Sequence, residues 1–306
     1  MHAGRFPNAE ADAPSRPRRA LLLVNTASRR GAAAAMIDLP RLLKDGGISF
    51  RVAQTASRDQ VGVCIEDAAS EVDCVIVGGG DGSLNAAVPA LLRTGLPLGV
   101  LPLGTANDFA RTLGIPSDVR AAVQLISEGR TRPVDVGLVN GLPFLNVASL
   151  GLSTELTERL TREHKRRWGR FSYAVAALRV LWRARPFRAI IVAKDAAIRV
   201  RTYQIAVGNG RYYGGGLPVR HDARADDGHL DLYSLEFKTI WRLALAARDF
   251  RGGRHGAWRE VREFRCTRFQ VRTRRPRPVN LDGELLTSTP ARFELLPAAL
   301  QVFAPD

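Results

Sequence analysis

The chain has 306 residues, of which 45% are hydrophobic, enough to bury two cores of ordinary domain size. Its formal net charge of +15 favours anionic partners such as ATP, an anionic membrane surface or nucleic acid, and does not choose among them. No stretch approaches the roughly 18 to 20 uninterrupted apolar residues of a bilayer crossing, and three widely spaced cysteines argue against a disulfide framework or a zinc site.

The first half of the chain alternates short apolar strands with helical patterns. Residues 1–19 are rich in proline, arginine and alanine and are expected to form a disordered tail. Strands spaced by helices of this length indicate right-handed βαβ units and a parallel sheet. The predicted elements are strand 21–24, helix 32–44, strand 49–53, helix 60–69, strand 72–77, a helix from near 84 to 92 and strand 98–101.

The third predicted strand runs into a glycine-rich loop, since residues 74–85 read Cys-Val-Ile-Val-Gly-Gly-Gly-Asp-Gly-Ser-Leu-Asn. Glycines let backbone N–H groups approach an anion closely, and a helix beginning near Leu84 adds the positive end of its dipole. Asp81 suits such a loop if a cation bridges it to phosphate or if it bonds a sugar hydroxyl. The loop predicts a nucleotide with Mg²⁺. The Rossmann and Walker A patterns do not fit it, and a tight turn without a ligand is the plainer alternative.

The fourth predicted strand ends in a second polar loop, Gly-Thr-Ala-Asn-Asp at residues 104–108. Strands of a parallel sheet end at one edge, so both loops are expected to face the same crevice, where α/β proteins bind ligands. Thr105 and Asn107 supply a hydroxyl and an amide for that crevice. A helix N-cap in front of Asp108 explains Asn107 equally well.

Beyond residue 135 the pattern changes to strands with turns, which is typical of an antiparallel, β-rich second domain. One helical pattern at 164–185 is basic and carries Trp168 and Trp182. It is explained either by contact with an anionic bilayer or by packing on the β-rich domain with a solvated basic rim. The predicted strands are 134–139, 143–150, 186–193, 198–207, 230–236, 258–271 and 291–303.

Five segments then resemble one family in the family's order along the chain. They are Gly-Gly-Gly-Asp-Gly-Ser-Leu-Asn at 78–85, Leu-Pro-Leu-Gly-Thr-Ala-Asn-Asp-Phe-Ala at 101–110, Val-Gly-Asn-Gly at 207–210, Asp-Gly-His-Leu at 227–230 and Leu-Asp-Gly-Glu at 281–284. The chain resembles the lipid kinases that share the diacylglycerol kinase catalytic domain, above all the stand-alone bacterial members, which are related to sphingosine and ceramide kinases. Ser83 replaces the family's usual Thr, and Ala86 stands where many members have Glu.

The resemblance implies an α/β fold in two domains. The N-terminal domain, residues 20–136, is expected to be a three-layer α/β domain with a mostly parallel sheet that binds the nucleotide. The C-terminal domain, residues 137–295, is expected to be an antiparallel β-sandwich that holds the lipid, and residues 296–306 are expected to return to the first domain.

The resemblance also implies roles for single residues. Asp81 and Asp135 are candidates for a catalytic Mg²⁺ network, with a domain-boundary turn as the other explanation of Asp135. A second cation site, for Mg²⁺ or a structural Ca²⁺, is implied at Asp227 with the backbone carbonyls of Arg224 and His229, and Asp226 could replace Asp227. The nucleotide contacts that the resemblance implies are Asn25, Thr55, Gly79, Gly80, Asp81, Gly82, Ser83, Leu84, Asn85 and Thr105.

Asp282 and Glu284 are the candidates for the catalytic base. In an extended segment, residues two apart share a face, so both carboxylates could point into one site with Gly283 between them. A positioned carboxylate can accept the proton of an attacking hydroxyl during phosphoryl transfer. The resemblance places the family's proton acceptor in this motif and leaves open which of the two it is, and a polar turn between strands is the alternative.

These observations predict an ATP- and Mg²⁺-dependent lipid kinase that transfers the γ-phosphate to a lipid hydroxyl, with diacylglycerol as the leading acceptor. The alternatives are an NAD kinase-like phosphotransferase, or a non-catalytic basic protein that binds membranes or nucleic acid. The expected location is cytoplasmic, peripherally at the inner face of the membrane. A nucleic-acid partner is not expected, and a homodimer is left open.

Overall fold

The computed structural model describes residues 16–24, 30–54, 58–154, 184–194, 196–213, 216–218, 223–239, 242 and 258–305. The chain divides into two compact units, one formed by Met1–Val134 with Ala299–Asp306 and the other by Asp135–Ala298. Residues 1–15 of the predicted tail and 164–183 of the predicted basic helix lie outside the described residues.

The first unit is an α/β layer structure around a parallel sheet, as predicted. Its strands pair in the order β2-β1-β3-β4, and every residue of β3 and β4 is buried. The continuous apolar runs of these strands are typical of a sheet covered by helices on both faces, and here α1 packs with α5 and α2 with α3. The elements are β1 (Arg19–Val24), α1 (Arg30–Asp45), β2 (Ser49–Gln54), α2 (Arg58–Ala68), β3 (Cys74–Gly79), α3 (Asp81–Thr94), β4 (Leu98–Pro102), α4 (Asp108–Thr112) and α5 (Val119–Glu128).

Helix α3 begins earlier than the sequence predicted. The expected start was near Leu84, whereas the helix begins at Asp81 and Gly80 occupies the N-cap position. Gly78 and Gly79 belong to strand β3, so the turn itself is short. The helix ends at Thr94, and its C-cap is Gly95, whose φ of 71° is the left-handed conformation that glycine adopts without strain.

The second unit is a sandwich of two sheets, which confirms the predicted antiparallel β-domain. One sheet has the order β14-β13-β10-β7-β16-β17, and the other contains β18-β15-β8-β9, with β5 pairing β18 and β6. Buried side chains from both sheets form one core, for example Leu150 and Leu232 from the first and Ile191 and Phe293 from the second. The strands are β5 (Thr131–Val139), β6 (Leu142–Phe144), β7 (Val147–Gly151), β8 (Phe187–Ala193), β9 (Ala196–Thr202), β10 (Gln204–Gly208), β11 (Tyr212–Tyr213), β12 (Leu217–Pro218), β13 (Leu230–Leu235), β14 (Val261–Cys266), β15 (Arg268–Thr273), β16 (Pro278–Leu281), β17 (Glu284–Ser288) and β18 (Ala291–Phe303).

The last strand belongs to both units. Its N-terminal part pairs with β15 in the second unit, and near its end Val302 pairs in parallel with Leu98 of β4 in the first. None of the helices in the described ranges has the length and apolarity needed to cross a membrane.

The cysteines are unpaired thiols in packed surroundings. Cys74 is buried, and Cys64 and Cys266 are partly buried. Burial raises the pKa of the Cys74 thiol to about 12 and that of the Cys266 thiol to about 11. Both thiols therefore stay protonated and weakly nucleophilic at neutral pH.

Candidate functional site

The glycine loop and the Gly-Thr loop touch each other in the first unit. They follow the neighbouring parallel strands β3 and β4, and the N–H of Leu103 donates to the carbonyl of Gly79 at 3.0 Å. A Cβ on Gly104 would overlap the Cα of Gly80 and lie 2.6 Å from Oδ1 of Asn107, while one on Gly80 would lie 3.2 Å from the Cα of Gly104. Both positions therefore need glycine so that the two backbones can approach each other.

The carboxylate of Asp81 caps helix α4. Its Oδ2 accepts the N–H of Asp108 at 3.1 Å, and its Oδ1 accepts the N–H of Phe109 at 2.9 Å. These are first-turn N–H groups, which have no partner within a helix, so the bonds satisfy the helix end and tie the two loops together. The expected partners of Asp81, a cation or a sugar hydroxyl, are therefore incomplete, because the carboxylate also caps α4. A capping carboxylate can still meet a cation, since each oxygen has two lone pairs.

Asn107 shapes the Gly-Thr loop from within. Its Oδ1 accepts the N–H of Gly104 at 3.0 Å, and its Nδ2 donates to the carbonyls of Pro102 and Gly104, both at 3.1 Å. Its φ of 50° lies in the left-handed region, which asparagine tolerates better than most residues. Asn107 holds the N-cap position of α4, but its side chain makes no capping bond because Asp81 supplies the cap.

The start of α3 offers both donors and an acceptor to a ligand. No side chain among the described residues caps the helix at Gly80, so a first-turn N–H group such as that of Gly82 and the positive end of the helix dipole can meet an anion. Asn85 is 1% exposed, and its Oδ1 has no hydrogen-bond partner among the residues that the structure describes. A buried acceptor without a partner is rare in folded proteins and indicates a group that a ligand or water completes.

The other predicted nucleotide contacts differ in how accessible they are to a ligand. Thr105 and Gly82 are exposed and Ser83 is half-buried, so their polar groups are accessible to a ligand. Leu84 packs in the core and its N–H donates to the carbonyl of Gly80 at 3.2 Å, so it offers a ligand little. Asn25 and Thr55 lie outside the described residues.

Asp108 is a carboxylate near these loops that the sequence prediction did not include. It is 4% exposed in the first turn of α4, and its Oδ1 lies 3.9 Å from Nη1 of Arg111. A carboxylate is favoured at a helix N-terminus by the helix dipole. Its position directly after the loop that ends β4 was the signal in the sequence that could have identified Asp108. The sequence prediction considered it only as the residue that follows Asn107, the candidate N-cap.

In the second unit, Asp135 binds backbone groups from two segments. It lies within β5 and is 4% exposed. Its Oδ2 accepts the N–H of Gly228 and its Oδ1 accepts the N–H of Ala298, both at 2.8 Å. Asp135 does begin the second unit, but it lies inside a strand and anchors the neighbouring backbone, so its interpretation as a turn residue is wrong. Its place in a Mg²⁺ network stays a prediction.

Asn209 extends this group of side-chain-to-backbone bonds. Its Nδ2 donates to the carbonyl of Asp135 at 2.8 Å and to that of Leu145 at 3.1 Å. The Val-Gly-Asn-Gly segment was singled out in the sequence without a role for any of its residues. The structure gives Asn209 the role of joining β5 to the end of β6.

Asp282 holds the turn between β6 and β7. Its Oδ2 accepts the N–H of Leu145 at 2.7 Å, and its Oδ1 accepts those of Asn146 and Val147 at 3.0 and 2.9 Å. All three donor residues are buried. Buried N–H groups must find acceptors, and one carboxylate satisfies three of them here.

The segment around Asp282 is a tight hairpin turn, so the expectation that it is extended was wrong. Asp282 and Gly283 join β16 to β17, and their φ values of 48° and 98° are both positive, as a type I′ turn requires. The two carboxylates of the motif therefore do not share one face. Asp282 turns back to the β6–β7 backbone, and Glu284 is half-exposed at the start of β17.

The predicted second cation site contains an arginine. Oδ2 of Asp227 lies 3.5 Å from Nη2 of Arg265, and its Oδ1 accepts the N–H of His229 at 3.1 Å. Burial and the neighbouring Asp231 raise the pKa of Asp227 despite these two partners. A cation would favour the ionised carboxylate, and this site stays a prediction. The alternative ligand Asp226 is paired with the guanidinium of Arg224 at 2.9 Å.

The contact between the two loops can be tested with Gly104→Ala. The added methyl group would meet the backbone of Gly80, so the loops must separate, and we expect a loss of about 1 to 3 kcal/mol in the free energy of unfolding. Gly62→Ala is the control, since a Cβ there meets nothing within 4 Å and alanine suits a helix better by about 0.5 to 1 kcal/mol. Urea unfolding measures the free energy of unfolding of both variants and of the wild type. A Gly104→Ala variant as stable as the wild type would contradict the close packing of the two loops.

Comparison with known proteins agrees with the two-unit structure. Residues 19–139 match the model of the diacylglycerol kinase catalytic domain. Residues 146–304 match the model of the YegS C-terminal NAD kinase beta sandwich-like domain.

Curated relatives and a solved structure extend the match over most of the chain. A Klebsiella pneumoniae protein named "Probable lipid kinase YegS-like" is 34% identical over 276 residues, which are 86% of this chain and 89% of that protein. A Pseudomonas aeruginosa protein of the same name is 35% identical over 233 residues, 76% of each chain. The crystal structure of a candidate diacylglycerol kinase from Bacillus anthracis has a TM-score of 0.80 at 26% identity and covers 95% of this chain and 98% of its own. The chain therefore belongs to the YegS-like lipid kinases, the family that joins a diacylglycerol kinase catalytic domain to this β-sandwich.

Proposed function

We propose that this lipid kinase uses ATP with Mg²⁺ to phosphorylate the hydroxyl group of diacylglycerol. The observation that carries the proposal is the pair of loops in the first unit. They are packed against each other at Gly80 and Gly104 and leave an uncapped helix N-terminus beside Asn85, whose Oδ1 has no partner among the described residues. Donors at a helix N-terminus suit phosphate, and a buried amide oxygen suits a donor on the rest of a nucleotide.

The carboxylates of the chain fit a magnesium ion that arrives with the nucleotide. The described residues contain no cluster of three or more His, Cys, Asp or Glu side chains that could hold a metal by themselves. Mg²⁺ in kinases is commonly held by one or two carboxylates together with substrate phosphates, so such a cluster is not required. Asp81 and the buried Asp108 beside it are the residues of the first unit that would hold the ion, and we retain Asp135 in the second unit as a further carboxylate of that network. The ion would neutralise charge that develops on the transferred phosphoryl group.

We assign proton acceptance to Glu284 rather than to Asp282. The oxygens of Asp282 already accept three buried backbone N–H groups, so a proton on this carboxylate would disrupt the turn that it holds. Glu284 follows directly on the rigid type I′ turn and is half-exposed. A carboxylate on a rigid element can take the hydroxyl proton as the oxygen attacks phosphorus in line.

Diacylglycerol is the proposed acceptor because the first unit matches the diacylglycerol kinase catalytic domain and the Bacillus anthracis structure is described in those terms. Such an acceptor resides in a bilayer. We therefore place the enzyme in the cytoplasm, in peripheral contact with the inner face of the membrane.

Labelled ATP distinguishes this proposal from its rivals. The purified chain is incubated with γ-labelled ATP and, in separate mixtures, with diacylglycerol, phosphatidylglycerol, a sphingoid base, ceramide and NAD, each with Mg²⁺ and with excess EDTA. We expect label in phosphatidic acid, and none when EDTA is present. Label in NAD would support an NAD kinase-like enzyme, label in another lipid would change the acceptor, and no label in any mixture would overturn the proposal.

A further inference from the structure

One face of the second unit carries a cluster of exposed arginines. In strand β8 the side chains alternate, so that Phe187, Ala189 and Ile191 enter the core while Arg188 and Ile190 point outward. Outward positions of β9 and β15 also carry arginines. The arginine face is formed by Arg188, Arg199, Arg201, Arg272 and Arg274, which line a groove of about 530 Å³.

The register of the sheet brings these charges together. Arg188 lies directly opposite Arg201, and Ile190 lies opposite Arg199 on one side and Arg272 on the other. Like charges opposite each other across strands destabilise a sheet. The repulsion between these charges therefore lowers the stability of the isolated protein, and an anion bound on the face would offset it.

Among the described residues, the arginines of this face have no carboxylate partner, although other arginines of the same unit do. Within the ranges that the structure describes, none of the five forms an ion pair, and Arg272 only donates to the amide of Gln270 at 2.7 Å. On β14, by contrast, Arg262 pairs with Glu236 and Arg265 pairs with Asp231, at 2.7 and 2.8 Å. The chain thus neutralises arginines on another strand of this unit and leaves these five exposed with their charge.

We infer that the arginine face docks the enzyme on an anionic lipid bilayer through the headgroup phosphates. The guanidinium fork matches two phosphate oxygens at once, and several basic side chains near an anionic surface add their contributions. Ile190, 37% exposed between the arginines, offers apolar surface to the interface. The choice of a bilayer over another polyanion rests on the proposed lipid kinase function.

Nucleic acid fits the face less well. Sites for single strands stack bases on aromatic side chains, and the outward positions of the described strands β8, β9 and β15 hold arginine, aliphatic and glutamine side chains instead.

Vesicle sedimentation tests the inference with the full chain. We expect the protein to bind vesicles of phosphatidylcholine with phosphatidylglycerol, to bind pure phosphatidylcholine much less, and to release as salt is raised. The triple variant Arg188→Gln, Arg199→Gln, Arg201→Gln should bind the anionic vesicles about 100-fold less tightly, because each lost charge weakens binding by about five-fold. The control variant Arg51→Gln, Arg93→Gln, Arg262→Gln loses the same charge from arginines that are ion-paired, and it should change binding less than about three-fold.

Three results would overturn the inference. They are equal binding of the wild type to neutral and anionic vesicles, equal losses of vesicle affinity in the two triple variants, and binding of RNA or DNA through the arginine face without binding of vesicles. The triple variant should unfold at the same or a higher temperature than the wild type, because it removes the opposition of Arg188 and Arg201. If it does not fold, the single variants at those two positions, each expected to bind about five-fold less tightly, decide the question.

The sedimentation assay requires neither ATP nor turnover, so its result is independent of the proposed reaction. A chain that phosphorylates diacylglycerol in detergent but does not bind anionic vesicles would refute only the proposed docking through the arginine face. A chain that binds the vesicles through these arginines and phosphorylates nothing would refute the proposed reaction alone.

Discussion

Glu284→Gln is expected to slow phosphoryl transfer to diacylglycerol by about 10²- to 10⁴-fold while leaving the fold and ATP binding unchanged. Glutamine has the size of glutamate and keeps a carbonyl oxygen, but it cannot take the proton of the attacking hydroxyl at neutral pH. The backbone at residue 284 belongs to a regular strand next to the type I′ turn, so the substitution disturbs no turn geometry. The loss should therefore appear in the rate of the chemical step.

Initial rates with saturating ATP and lipid measure this effect, and calorimetric titration with Mg·ATP checks nucleotide binding. Glu71→Gln is the control, because Glu71 is an exposed glutamate whose partner is Arg51 on the surface of the first unit. It should retain activity within about two-fold, since surface ion pairs contribute little. A Glu284→Gln enzyme with more than a tenth of the normal rate would remove Glu284 from the role of base.

The sequence predicted the order of elements in the first unit as far as β4 because the buried strands β1, β3 and β4 are largely apolar runs. Leu21 to Val24 are hydrophobic throughout, and Leu98 to Leu101 are hydrophobic apart from Gly99, as a strand covered by helices on both faces requires. The glycine loops were also predictable, since Gly-Gly-Asp-Gly or Gly-Thr directly after an apolar strand indicates a loop between a strand and a helix. Local composition was enough in these places because the physical constraint is local.

The roles of the acidic residues were not predictable in the same way, because their partners are distant in the chain. Asp81 caps a helix that begins 27 residues later, and Asp135 bonds the N–H groups of Gly228 and Ala298 from two separate segments. A carboxylate that binds backbone and one that binds metal look alike in a sequence. Only the fold distinguishes them.

The hairpin formed by β16 and β17 was missed for a different reason. Its strands, Pro278–Leu281 and Glu284–Ser288, are short and partly polar, so they lack the alternation that marked the other strands. The Asp-Gly pair between them is nevertheless a strong signal for a type I′ turn, which was weighed only as a polar turn. Treating the segment as extended led to the error that both carboxylates of the motif face one site.

Asp282→Asn separates the structural carboxylate from the catalytic one. Asparagine also tolerates a positive φ, so the backbone of the turn is not strained, but it keeps one acceptor oxygen where three buried N–H groups need two. Its NH₂ group would face a donor. We expect the free energy of unfolding to fall by about 2 to 3 kcal/mol, the cost of leaving a buried donor without a partner and placing another donor against it.

Asp118→Asn is the matched control, because Asp118 caps α5 with one bond to the N–H of Ala121 and asparagine is an equally good N-cap. Urea unfolding should therefore show a change of less than about 0.5 kcal/mol for Asp118→Asn. If Asp282→Asn were as stable as this control and yet inactive, Asp282 would be the base and Glu284 would not. If it is unstable and Glu284→Gln is stable and inactive, then within the Asp-Gly-Glu segment the first residue builds the turn and the third accepts the proton.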